Sequence, residues 1–160
     1  MTTISDPKHD RRVLLVDDDP AILMLLSKAL TKRGYTPSTL TDGEQVLSHL
    51  AQSPARIVVL DVDMPGKNGL VLLREIKKFD GSIQVIMLTG LASMGTILRA
   101  TKLGAEECIF KPIEKLDDVA DAVDRAYTKI LRWWATLREW RVRKELASQS
   151  DKIQIAKTAE

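Results

Sequence analysis

Apolar residues along the chain fall into short dense runs separated by polar stretches that contain glycine and proline. The first run, VLLV at 13–16, has basic residues before it and acidic residues after it. Asp19-Pro20 then has the form of an N-cap followed by proline at the first helical position, and apolar residues recur turn by turn over 21–33. Gly34 is a natural C-cap for that helix. A weaker strand is predicted over 35–40 and a short helix over 43–52, entered through Asp42-Gly43. The run at 57–60 predicts a third strand, followed by a loop rich in proline and glycine and a helix at about 70–78. IQVIML at 83–88 predicts a fourth strand leading into Thr89-Gly90, then a helix near 92–103 closed by Gly104. Cys108-Ile109-Phe110 is a short fifth strand ending at Lys111-Pro112, and a last helical pattern begins near Glu114.

Five strands thus alternate with five helices, and strands one, three and four are almost wholly apolar. Strands buried on both faces imply a parallel sheet sandwiched by helices. In such sheets the ligand crevice lies beyond the carboxyl ends of the strands, so the residues standing there carry the functional information.

Composition alters this picture only at the tail. A chain of 160 residues is one domain, or one domain plus an appendage. No run approaches the roughly 18 apolar residues of a membrane span. The first twelve residues hold no apolar secretory segment, so a cytoplasmic location is expected. The single cysteine, Cys108, cannot build an internal disulfide framework and fits a reducing compartment. His9 and His49 lack ligand spacing for zinc. Residues 1–127 hold 16 Lys/Arg against 18 Asp/Glu, whereas 128–160 hold 8 against 4 and all three tryptophans. That asymmetry marks the tail as a part with its own job.

The strand ends carry complementary chemistry. Strand one ends in Asp17-Asp18-Asp19, strand three in Asp61 with Asp63 close behind, strand four in Thr89 and strand five in Lys111. Clustered carboxylates repel one another, and an oxygen-rich site of this kind suits a hard cation such as Mg²⁺. With that charge neutralised, a carboxylate can attack a phosphoryl group, while a lysine and a hydroxyl hold its oxygens. An aspartate nucleophile yields an acyl phosphate, a high-energy and temporary mark.

VDDD at 16–19, LDVDMPGKNG at 60–69, LTG at 88–90 and FKP at 110–112 occur in the order and spacing of one family. Residues 11–128 closely resemble a bacterial response-regulator receiver (CheY-like) domain. The resemblance implies an α/β, flavodoxin-like doubly wound sheet of five parallel strands in the order 2-1-3-4-5, flanked by five helices. It also implies Asp61 as phospho-acceptor, direct Mg²⁺ ligation by Asp18 and Asp61, Asp17 acting through water, and the backbone carbonyl of Asp63 as a further ligand. Thr89 would be the switch hydroxyl, Lys111 its charged partner, and Lys111-Pro112 a cis peptide. The phosphoryl group would come from a histidine kinase or histidine phosphotransfer protein, and the output would be altered affinity for a downstream protein. Apart from its own phosphotransfer and autodephosphorylation, such a chain is not an enzyme. Two positions depart from the pattern or tune it: Cys108 stands where the family usually has an aromatic switch residue, and Asp63 adds a carboxylate at a position that tunes phosphate lifetime.

Asp-x-Asp after an apolar strand also opens the haloacid-dehalogenase-type phosphatases, with Asp63 then serving as acid and base. The order argues against that remote alternative: those enzymes carry the motif on their first strand, whereas here Asp17-Asp18-Asp19 comes first.

Past residue 128 the helical pattern persists through Leu146. Leu116, Val123, Ile130, Leu137 and Lys144 share one heptad position, and Val119, Ala126, Trp133 and Trp140 fall three residues later, with Tyr127 and Trp134 beside them. Residues 129–147 are therefore read as a Trp/Arg-rich extension of the last helix, between the receiver and a frayed polar tail at 148–160; residues 1–10 are read as disordered. Ile130, Trp133, Trp134, Leu137 and Trp140 are the expected interaction residues, for a homodimeric coiled coil or a partner helix. The alternatives are a helix folded back on its own receiver, a linker to an effector if the chain is a fragment, or contact with DNA or membrane. The basic residues are spread around the helix rather than gathered on one face, which weakens the last of these.

Overall fold

The computed structural model describes residues 10–53, 55–90 and 93–158. The expectations for residues 1–9, and for positions 54, 91, 92, 159 and 160, lie outside the described residues. Strands β1 (Arg12–Val16), β2 (Thr36–Leu40), β3 (Ile57–Asp61), β4 (Gln84–Thr89) and β5 (Glu107–Phe110) form one parallel sheet in the order β2-β1-β3-β4-β5. Helices α1 (Pro20–Lys32), α2 (Val46–Gln52), α3 (Gly69–Phe79), α4 (Met94–Lys102) and α5 (Leu116–Thr158) connect the strands and complete the fold. Residues Gly43–Gln45 form a separate 3₁₀ turn ahead of α2, so the helix expected over 43–52 is split.

The continuous apolar runs follow from burial on two sides. Val13 and Leu15, Ile57 and Val59, Ile86 and Leu88 face α1 and α5. The alternate residues Leu14 and Val16, Val58 and Leu60, Val85 and Met87 face α2, α3 and α4. Strands β1, β3 and β4 therefore bury both of their period-two faces, and polar residues are confined to their ends, Arg12 and Gln84 at the start and Asp61 and Thr89 at the close. Asp61 and Thr89 close β3 and β4, one residue beyond the apolar runs at 57–60 and 83–88.

The helix ends follow local chemistry. The Asp19 side chain accepts the Ala21 N–H with Pro20 in the first turn, Asn68 accepts the Leu70 N–H, and Ser93 accepts the Thr96 N–H. Helix α1 ends at Gly34, whose φ of 82° lies in the left-handed region that glycine adopts freely.

Helix α5 is pinned to α1 by one polar cluster. Asp117, Asp121 and Asp124 lie along one stripe and all pair with Arg33, at 3.0, 2.5 and 2.7 Å. The Tyr35 hydroxyl donates to Asp124 at 2.6 Å, the Tyr35 and Tyr127 rings meet edge-on, and the Arg11 guanidinium lies over both. Beyond Ile130 no residue of α5 with a described side chain is buried, yet the helix continues to Thr158. The polar tail expected to fray from 148 is thus helical in the structure, and no glycine or proline follows Pro112 to stop it. Ile130 must also be reassigned: it is buried in the receiver core, because the sheet reaches one turn further than the interaction stripe assumed.

Burial, then the hydrogen bond to Asp124, hold the Tyr35 phenol well above its ordinary pKa. Above about pH 10 the unfolded chain therefore releases a proton that the folded chain keeps, and stability falls as pH rises. Tyr35→Phe should cost about 1 kcal/mol at neutral pH through the lost hydrogen bond and flatten that alkaline decline. Urea denaturation across pH 7 to 11 measures both.

Candidate functional site

The carboxyl ends of β1, β3, β4 and β5 converge because the parallel register places all four on one edge. Asp17 follows Val16 directly and is buried; its amide donates to Leu40 O, and its Oδ1 accepts the Asp19 N–H at 2.9 Å. Asp18, between them, is exposed. Asp61 is buried at the end of β3, and its Oδ1 accepts the Asp63 N–H at 3.2 Å. Lys111 reaches across from the end of β5, its Nζ 2.7 Å from Asp17 Oδ2 and 3.3 Å from Asp61 Oδ2. The Lys111-Pro112 peptide is cis, as the resemblance implied. Thr89 is buried, and its Oγ1 has no hydrogen-bond partner.

Burial pushes the Asp61 carboxyl above the usual carboxylate range; the Asp63 N–H and the Lys111 ammonium pull it back, and Asp17 adds to the rise. Burial also works against the charge on Lys111, but the hydrogen bond and field of Asp17, with Asp61 adding, outweigh it and leave the ammonium above its ordinary value. Carboxylate oxygens of Asp17, Asp18 and Asp61 all lie within 4.8 Å of one another. Three carboxylates against one ammonium leave an excess of negative charge, and an all-oxygen donor set is what Mg²⁺ prefers.

The loop after β3 is shaped to keep this pocket open. Gly66 turns the chain with a φ of 87°. At Gly69 an added Cβ would sit 2.5 Å from the Asp61 carbonyl oxygen and 2.6 Å from Val62 Cα, so helix α3 begins against the backbone that carries Asp61. The Asp63 side chain is not simply turned to solvent: its Oδ2 accepts the Gly90 N–H at 3.1 Å, linking the loop after β3 to the residue after Thr89. Sequence alone could not supply that bond, because it joins residues 27 positions apart, in the loops after two different strands. Cys108 is half-buried against the α3–α4 side of the sheet, and burial raises its thiol pKa, so it is a small packing residue.

A parallel sheet with carboxylates, an ammonium and an unsatisfied hydroxyl at one edge defines a phosphoryl-accepting switch module. Comparison with known proteins makes this specific. The response regulator receiver domain family matches residues 13–124, and the chain belongs to that family, the receivers of two-component signalling systems. The transcriptional regulatory protein BaeR of Escherichia coli is 33% identical over 120 residues, covering 75% of this chain and 50% of BaeR. Sporulation initiation phosphotransferase F of Bacillus subtilis is 31% identical over 116 residues, covering 72% of this chain and 93% of that protein. Two solved structures share the fold. A CheY-like receiver domain protein of Methanospirillum hungatei superposes with a TM-score of 0.72 at 25% identity, covering 76% of this chain and 97% of its own. The receiver domain of NtrX from Brucella abortus gives 0.68 at 32%, covering 72% and 98%. The chain spans half the length of BaeR and 24% of the NtrC proteins it also matches. Family membership sets aside the haloacid-dehalogenase-type alternative, and Asp63, bonded to Gly90, is not placed as a free acid-base group.

Two substitutions test the geometry. Because folding raises the Asp61 pKa, its charged form costs stability at neutral pH, and the cost disappears as pH falls through the raised value towards about 4. Asp61→Asn should therefore raise the thermal midpoint at pH 7, with the gain shrinking in acid. Gly69→Ala should lose about 1–3 kcal/mol by overpacking against the β3 backbone. Thermal and urea melts decide both.

Proposed function

We propose that Asp61 accepts a phosphoryl group from a phosphohistidine of a histidine kinase or phosphotransfer protein, and that the acyl phosphate then changes the chain's affinity for a downstream protein. The buried Asp61 carboxylate, flanked by Lys111 and by the otherwise unsatisfied Thr89 hydroxyl, supports this reading most strongly. An Asp61 carboxylate oxygen attacks phosphorus, the phosphorus–nitrogen bond breaks, and the electron pair leaves with the imidazole. Lys111 steadies the phosphoryl oxygens by charge, and Thr89 supplies the missing donor by moving its hydroxyl towards them. Asp17, Asp18 and Asp61, with the backbone carbonyl of Asp63, would hold Mg²⁺, which screens the carboxylates from the incoming phosphoryl oxygens.

The signal leaves through the segment after Thr89. Movement of Thr89 towards Asp61 works against the Asp63–Gly90 bond, so Asp63 sets the threshold of the switch. Cys108 is too small to act as an aromatic lever, which leaves the β4–α4 connection as the main route. The chain catalyses only its own phosphorylation and dephosphorylation, and its free thiol fits the reducing cytoplasm.

Incubation with acetyl phosphate and Mg²⁺ should add one phosphoryl group by intact mass, lost on hydroxylamine treatment. Asp61→Asn should remain unmodified; equal labelling of that variant would refute the assignment. Asp63→Ala, which frees the Gly90 N–H, should alter phosphoryl lifetime while keeping stoichiometry at one.

A further inference from the structure

Helix α5 carries a surface at the end of the sheet opposite Asp61. Val119, Val123, Ala126 and Ile130 form the stripe of α5 that packs on the receiver. Trp133, Leu137 and Trp140 continue that stripe at spacings of three and four, and are 63%, 51% and 58% exposed. Below the sheet they face a second wall, built from the amino ends of the strands: Arg56 just before β3, Gln84 opening β4 and Glu106 just before β5. The two walls enclose a groove of about 970 Å³. Two large aromatic rings and a leucine left open beside it form an apolar patch of the kind that marks an interaction surface.

Period, charge and sterics narrow the occupant. The exposed 133-137-140 spacing matches the 3.5-residue repeat into which another helix inserts its side chains, and it extends over about 10 Å. The groove is basic: Arg56, Lys77, Lys129, Arg138 and Arg141 line it against only Asp80 and Glu106. Glu106 and Lys129 pair with each other, which leaves Arg56, Lys77, Arg138 and Arg141 against Asp80. Arg56 stacks on Trp134 at 5.5 Å, and its buried Nε has no hydrogen-bond partner, so a charged donor in the wall is left unsatisfied. A second copy of the chain would bring its own Arg138 and Arg141 into this field, with Arg143 held by Glu139 and Lys144 over Trp140. A parallel, in-register coiled coil is also obstructed. The seam continues the face on which each receiver sits, so the partner's receiver would have to occupy the space of this one.

The geometry points to a docking site for an acidic amphipathic helix of another protein, its apolar residues seated among Trp133, Leu137 and Trp140 and its carboxylates directed to Arg56 and Arg141. This proposal is independent of phosphorylation at Asp61, which lies at the far end of the strands.

All three tryptophans of the chain lie on this segment, so intrinsic fluorescence of the full-length protein reads the groove directly. The probe is a synthetic helical peptide of about three heptads with leucine at the a and d positions and glutamate at e and g. It should shift tryptophan emission to the blue, saturate at one peptide per chain and weaken with added salt. Trp140→Ala and Arg141→Glu, both at exposed positions that leave the receiver core untouched, should each reduce affinity roughly tenfold or more. Equal binding of the same peptide with lysine at e and g would overturn the charge argument. A matching shift with short duplex DNA would assign the groove to nucleic acid. A blue shift that grows with protein concentration alone, with dimer mass by light scattering, would assign it to a second copy. Either of these last two results would refute the acidic helix.

Discussion

The Lys111 ammonium, 2.7 Å from Asp17 and 3.3 Å from Asp61, is the contact on which the functional half of this molecule depends. Two carboxylates buried at adjacent strand ends repel each other and have lost most of their water. One ammonium arriving from β5 is what makes that burial tolerable. Its compensation is incomplete, and the direction of the Asp61 shift records the deficit. A site fully neutralised by its own residues would have little to gain from Mg²⁺ or from the charge rearrangement that accompanies a phosphoryl group.

The parallel sheet serves this contact by removing slack. Buried on both faces, β1, β3 and β4 cannot slide without exposing apolar residues, so the positions of Asp17, Asp61 and Thr89 are set by packing. Mobility is left to the connections beyond the strand ends. There the Gly90 N–H donates to Asp63, tying the segment after β4 to the loop that follows Asp61. A rigid edge with such a breakable tie beside it is suited to two discrete states rather than a continuum.

Helix α5 has two environments along one face. Up to Ile130 its stripe completes the core beside α1, fastened by Arg33 to three aspartates. From Trp133 the same stripe hangs below the sheet, where its apolar residues meet solvent and a basic wall. Continuity of the helix couples the two halves mechanically, since helical backbone hydrogen bonds run through the junction.

Much of the fold was legible because its signals are local. Continuous apolar runs, Asp19-Pro20, and glycines at 34 and 104 report on the nearest few residues, and their meaning does not depend on distant partners. Asp61, Lys111, Thr89 and Asp17 were legible for a further reason: in a parallel sheet every strand's carboxyl end falls on one edge, so order along the chain implies proximity. Where the physics is non-local, the sequence was silent. The bond from Gly90 to Asp63, the tight approach of Gly69 to the β3 backbone, and the convergence of Asp117, Asp121 and Asp124 on Arg33 all require two distant segments at a fixed separation. The heptad pattern announced a long amphipathic helix, yet it could not say where the sheet stops covering it. That boundary, which buries Ile130 and exposes Trp133, depends on the length of the neighbouring strands. The sequence by itself determined which side chains would stand at the carboxyl edge, since right-handed crossovers bring every parallel strand's carboxyl end to the same side, and the resemblance of its motifs to the receiver family supplied the strand order. Only the tertiary structure decided where the core ends on α5, because burial is a property of the whole packed sheet and not of any one helix.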